Sequence, residues 1–233
     1  VRLSPINHEW CTYYLNSGIP LASASLAAEL DIGYDSKYVS EGRNNLPEGG
    51  IVWVNFSYPV TDAMSLSAAY GEGESSNYDE LNVGLEYSHQ WNDFALFANY
   101  TRLEFFKDNS FDNEFGAGAA WSGNDWITPS INVVYSTQAD GSFIELGLEQ
   151  EYQINPHCSI NPYVRVTFDY GYASDEFDGH NHTYFGAIAS HALNNTFSVS
   201  ATLEHNIGGN NLKSVEGENS DKSWGGLHIS AVF

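Results

Sequence analysis

Thirty acidic residues against eight lysines and arginines give this 233-residue chain a net charge of −22. That excludes a binder that tracks nucleic-acid phosphates, which needs a basic surface. Aromatic residues make up 15% and there are 21 glycines, a mixture that favours strands and turns over helices. No run of eighteen apolar residues occurs, so no helix is expected to cross a membrane, although barrel strands give a far weaker signal.

Residues 1–23 read as an N-terminal periplasmic segment, followed by a barrel over 24–233. The opening "VRLSPINHEW" has no basic stretch leading into an apolar run, so a leader peptide is not expected there. From residue 24 onward the apolar residues recur every second position, interrupted by Gly, Asn, Asp and Ser clusters. This predicts twelve strands, at roughly 24–36, 49–60, 63–71, 79–91, 93–105, 112–122, 126–137, 142–154, 160–173, 182–193, 196–207 and 222–233.

Each strand then has one apolar face. Val52, Val54, Phe56 and Tyr58 form that face in the second strand, and Val164, Val166, Phe168, Tyr170 and Tyr172 in the ninth. The opposite face is small, polar or acidic. It carries Glu29, Asp31, Asp35, Glu86, Glu114, Glu145, Glu149, Glu151, Asp169 and Glu204, with Arg165 as the one clear base. A dry core rejects so many carboxylates, so this face needs water.

Alternation alone also fits a soluble sandwich or a lipocalin-like barrel. Connection lengths separate the cases. Short links such as "VTDA", "WND" and "ALNN" alternate with long polar ones such as "KYVSEGRNNLPEGG" and "GGNNLKSVEGENSDKS". That asymmetry fits an all-β, up-and-down antiparallel transmembrane barrel of about twelve strands, with short periplasmic turns and longer extracellular loops. Its apolar face contacts outer-membrane lipid and its acidic face lines the lumen.

The last strand, "GGLHISAVF", ends on Phe233 with correct parity and resembles the C-terminal signature of bacterial outer-membrane barrels. The stretch "LDIGYDSKYVSEGRNN" resembles the opening strand and first loop of the TorF-family porins. Ser36 and Tyr38 match that family's Ser-x-Tyr-x-x-Arg-Gly signal, while Glu41-Gly42-Arg43 departs from its Arg-Gly order. The resemblance implies a porin with no established substrate.

Carboxylates lining a narrow pore concentrate cations and exclude anions, so the expected function is passive diffusion of small, preferentially cationic solutes. A plugged barrel whose acids pair with Arg165, Lys37 or water is the competing reading. Its function would be that of a non-transporting surface protein, acting in adhesion or assembly, with homo-oligomers among its partners. The loop residues Asp175, Glu176, Asp178, His180 and His182 carry oxygen and imidazole donors suited to a cation. A solvated acidic loop accounts for the same residues. No cofactor is expected beyond calcium at such acidic loops.

Cys11 and Cys158 fall on the same predicted rim, and an oxidising periplasm would let them pair as a disulfide. No enzyme is expected. His228 and Ser230 share a face, but no third partner can be assigned from their spacing.

Overall fold

The computed structural model describes residues 27–75, 77–175, 178–217 and 220–233. The proposed N-terminal segment over 1–23 and Cys11 lie outside these. In chain order the elements are β1 (Glu29–Asp35), β2 (Val39–Ser40), β3 (Arg43–Asn44), β4 (Ile51–Thr61), β5 (Met64–Gly73), β6 (Asp79–Trp91), β7 (Phe94–Phe105) and β8 (Ser110–Trp121). There follow β9 (Thr128–Ser136), β10 (Gly141–Glu149), β11 (Tyr152–Asn155), β12 (Cys158–Tyr170), β13 (Asp178–Ala192), β14 (Phe197–Gly208), α1 (Asn210–Glu216) and β15 (Lys222–Val232).

Twelve staves form a closed antiparallel barrel, with β10 and β11 making one interrupted stave and β2–β3 a separate hairpin. Closure is made by β1, which pairs with both β4 and β15, while β10 pairs with β12 across the break. Among the described residues no stave has an open edge, so the ladder pairs the backbone groups without water.

The period-two pattern sets the wall. In β4, Ile51, Trp53, Asn55 and Ser57 are buried while Val52, Val54, Phe56 and Tyr58 are exposed on the outside. Register places Leu30, Phe56, Ala68 and Val83 side by side across β1, β4, β5 and β6. Repeated round the wall, this makes an apolar outer belt, the surface a bilayer requires of a barrel. The belt and the closed ladder together make this a barrel that sits in a membrane.

One rim carries tight turns, Asp62–Ala63 between β4 and β5 and Asn92–Asp93 between β6 and β7. Asn92 adopts φ 51°, a left-handed conformation that asparagine tolerates. The other rim carries the long loops. Loop 36–50 folds back into the lumen as the β2–β3 hairpin, and α1 packs beside β13. Neither element was expected from the sequence. A helix of seven residues has too short a pattern to show a helical period.

One expected side-chain direction is corrected. Tyr172 does not join Tyr170 on the outer face but lies inside, 1% exposed. Gly171 at φ +78° ends the strand alternation and turns the next residue inward.

Candidate functional site: the barrel interior and its filled mouth

The lumen has two halves. Toward the short-turn rim its wall is small and polar, with Gly84, Gly116, Ser130, Ser198, Ser200 and Ser230 only partly buried. Among the described residues two basic side chains, Arg165 and His228, lie on the inner face, and carboxylates flank each. Arg165 Nη1 lies 2.9 Å from Glu145 Oε1 and its Nη2 lies 2.8 Å from Glu149 Oε2. The Tyr184 hydroxyl donates to the other oxygen of Glu145 at 2.6 Å, and the guanidinium sits 5.2 Å over the Tyr163 ring. Tyr163 in turn donates to Glu204.

His228 Nδ1 is 2.8 Å from Asp31 Oδ1 and its Nε2 is 3.5 Å from Asp35 Oδ1. Asn55 and Ser230 each donate to Asp31 at 2.8 Å. Ser230 therefore serves the carboxylate and not the imidazole, an arrangement that does not activate a nucleophile. Each trio of two carboxylates and one cation keeps a net negative charge even with the imidazole protonated. Glu29 and Glu86 add further half-buried carboxylates. Glu151 falls in the two-residue break between β10 and β11.

Toward the long-loop rim the interior is filled. Tyr38 and Leu46 from loop 36–50 pack against Ile51, Trp53, Leu103 and Phe143 of the wall. The rings of Tyr38 and Trp53 meet edge-on with centroids 5.4 Å apart. Two predicted pore acids belong to this closure and do not line an open lumen. Glu114 accepts a hydrogen bond from Tyr172. Asp169 accepts from the backbone amides of Tyr172 and Ala173 at 2.8 and 3.0 Å, and from Asn211 at 3.0 Å. Buried Glu80, which the parity argument did not single out, is held by Tyr38, Tyr78 and Asn82.

The tip of the hairpin is bonded to the barrel wall. Glu41 and Gly42 have φ 47° and 78°, the two left-handed residues of a tight two-residue hairpin turn. Asn181 of β13 donates to the Glu41 carbonyl at 2.9 Å, and Asn206 of β14 to that of Gly42 at 2.7 Å. Arg43 Nη1 donates to the Ala173 carbonyl at 3.2 Å. These contacts join residues 130 to 164 positions apart, so no local pattern could disclose them.

The expected loop cation site is not assembled as drawn. Asp178, His180 and His182 belong to β13, and His182 is buried against Thr167, with ring nitrogen and hydroxyl 2.8 Å apart. Asp175 stays in the loop, and Glu176 lies outside the described residues. Among the described residues no group of three or more His, Cys, Asp and Glu is arranged to hold a metal ion. Lys37 does not reach a lumen acid but bonds the Ser223 carbonyl. Cys158 sits at the short-turn rim with its Sγ 3.0 Å from His191 Nδ1. Its proposed partner Cys11 is outside the described residues.

No family model matches the chain, and no curated protein does. The TorF resemblance therefore stands on Ser36 and Tyr38 alone. Solved structures with the same architecture include the KdgM porin, with TM-score 0.63 and 8% identity over 88% of this chain and 99% of that one. The NanC porin gives 0.59 and 9% over 88% and 98%. The COG4313 outer membrane channel from Pseudomonas putida F1 gives 0.57 and 13% over 94% and 99%. The KdgM porin has also been solved in complex with disordered oligogalacturonate. At such identities these likenesses establish the fold, which is that of outer-membrane barrels.

Proposed function

We propose that this chain is a porin-like channel of the outer membrane that passes small solutes and favours cations, with its short turns on the periplasmic side. One observation carries the reading. The half of the lumen toward the short turns is lined by serine, glycine and carboxylates, His228 there lies half-buried between Asp31 and Asp35, and Arg165, buried in the wall, is held between Glu145 and Glu149. Such a wall raises the local cation concentration and repels anions. Oligogalacturonate, the ligand of the KdgM complex, is a polymer of carboxylates and would meet like charge throughout this lumen.

Swelling of proteoliposomes tests the proposal. Lysine hydrochloride should enter faster than sodium glutamate of similar size, and the ratio should approach one near pH 4, where ordinary carboxylates take up protons. Equal entry rates at pH 7 would sink the cationic preference.

The filled mouth favours a second reading, a barrel that does not transport and acts through its loops. It predicts no swelling with any solute. The Cys11–Cys158 disulfide remains part of either proposal, and peptide mapping of unreduced protein checks it by the presence or absence of the linked peptide.

A further inference from the structure

We infer that loop 36–50 is the gate of this pore, a hairpin that leaves the mouth to open it and docks by its tip to close it. The inference rests on the channel reading above. The hairpin is a self-contained unit, since β2 pairs only with β3 and joins no stave. Its tip is held to the wall by single amide side chains, Asn181 and Asn206, and by Arg43 reaching Ala173, with no continuous ladder to unzip. Its C-terminal stem ends in Gly49, at φ +74°, and Gly50, packed against Tyr34 and the Asp35 carbonyl, two residues without a Cβ that can change backbone conformation at low steric cost once the stem lifts. At the tip, Glu41 holds a left-handed conformation that is unusual for its side chain.

The docked tip buries a carboxylate. The Glu41 carboxylate has Ser40 and Arg43 beside it on its own hairpin and the carboxylates of Asp169 on β12 and Glu114 on β8 near enough to act on it, while Asn181 of β13 bonds the Glu41 carbonyl, and His182 of β13 and Asn206 of β14 lie against Gly42 next to it. Tyr38, Tyr78 and Tyr172 also surround it. Arg43, 3.5 Å away, is the one permanent cation of this set. Burial pushes the Glu41 carboxyl up to about 8, with Arg43 only partly opposing the shift.

The sign follows from linkage. A solvated, undocked Glu41 has an ordinary carboxyl near 4.5, so the docked form binds one more proton between there and about 8. Raising pH across that window favours the undocked, open form by up to about tenfold per unit for one proton. Above it the dependence ends.

Single-channel recording in planar bilayers from pH 5 to 9 tests this on the full chain, Glu41→Gln, and a variant with residues 38–46, which include the mouth-filling Tyr38 and Leu46, replaced by a Gly-Ser linker. Trypsin cleavage at Arg43, scaled to cleavage of a free peptide of the same sequence, reports undocking independently of current. The expected result is an open probability and a scaled cleavage rate that both rise with pH in the parent. Glu41→Gln should be flat, and the linker variant open at every pH. Parent and linker variants that conduct alike would overturn the gate and leave the channel standing, as would an unchanged pH response in Glu41→Gln. Silence of the linker variant would overturn the channel reading, and the gate with it.

Discussion

Arg165 shows how a single residue decides whether the lumen wall is stable. Its guanidinium is 6% exposed and bridges Glu145 and Glu149, which are similarly buried. Removing the cation leaves two carboxylates facing each other in a poorly solvated place, so Arg165→Met should cost about 3–5 kcal/mol. Adding Glu145→Gln and Glu149→Gln removes the uncompensated charge and should recover most of the loss. Urea midpoints for folding into lipid vesicles read both variants; a single variant as stable as the parent would contradict the assignment. Parity had marked Arg165 as facing inward beside the acids. It could not show that one arginine reaches two of them, because parity gives the side of the wall and not which side chains meet across neighbouring staves.

At the scale of elements, the staves were legible and the plug was not. Strand faces follow from alternating residues a few positions apart, so the predicted boundaries of β6 coincide with those observed, and those of β7 differ by one residue at its start. The β2–β3 hairpin owes its place to Asn181 and Asn206, far along the chain, and α1 to packing against β13. Tyr172 was misassigned because parity was carried one residue past Gly171. The hairpin's fit at its tip is itself testable. A Cβ on Gly42 would come within 2.7 Å of Leu212 and 2.9 Å of His182, in a conformation of φ +78°. Gly42→Ala should weaken docking by about 1–2 kcal/mol, because the added methyl overlaps Leu212 and His182 only in the docked form, giving roughly 5- to 30-fold faster trypsin cleavage at Arg43. An unchanged rate would mean that the tip does not sit where these contacts place it.

For the whole molecule, the two faces of each stave answer to different solvents. Leu85 and Glu86 are adjacent on β6, the first on the outer belt and the second in the lumen. Leu85→Arg puts a cation against lipid and should cost about 2–4 kcal/mol if it lies near the bilayer midplane, read by the same vesicle-folding titration. Glu86→Gln should cost less than half of that while lowering cation preference. The reverse ranking would contradict the inside-out polarity of the barrel. That Glu145, Glu149 and Glu204 fall on the buried side of the wall was legible from parity. That Glu114 and Asp169 are consumed by the closure was not, because parity gives the side of the wall and not the depth.

The central claim is a cation-favouring path through an acidic lumen, and reversal potential is its most direct measure. In a bilayer separating concentrated from dilute KCl at pH 7, the variant with residues 38–46 replaced by the Gly-Ser linker should give a steady current. Its reversal potential should have the sign and most of the size expected for potassium, and should shrink as the pH falls to about 4. A current that reverses at zero or with the chloride sign, or no current at all, would contradict the account.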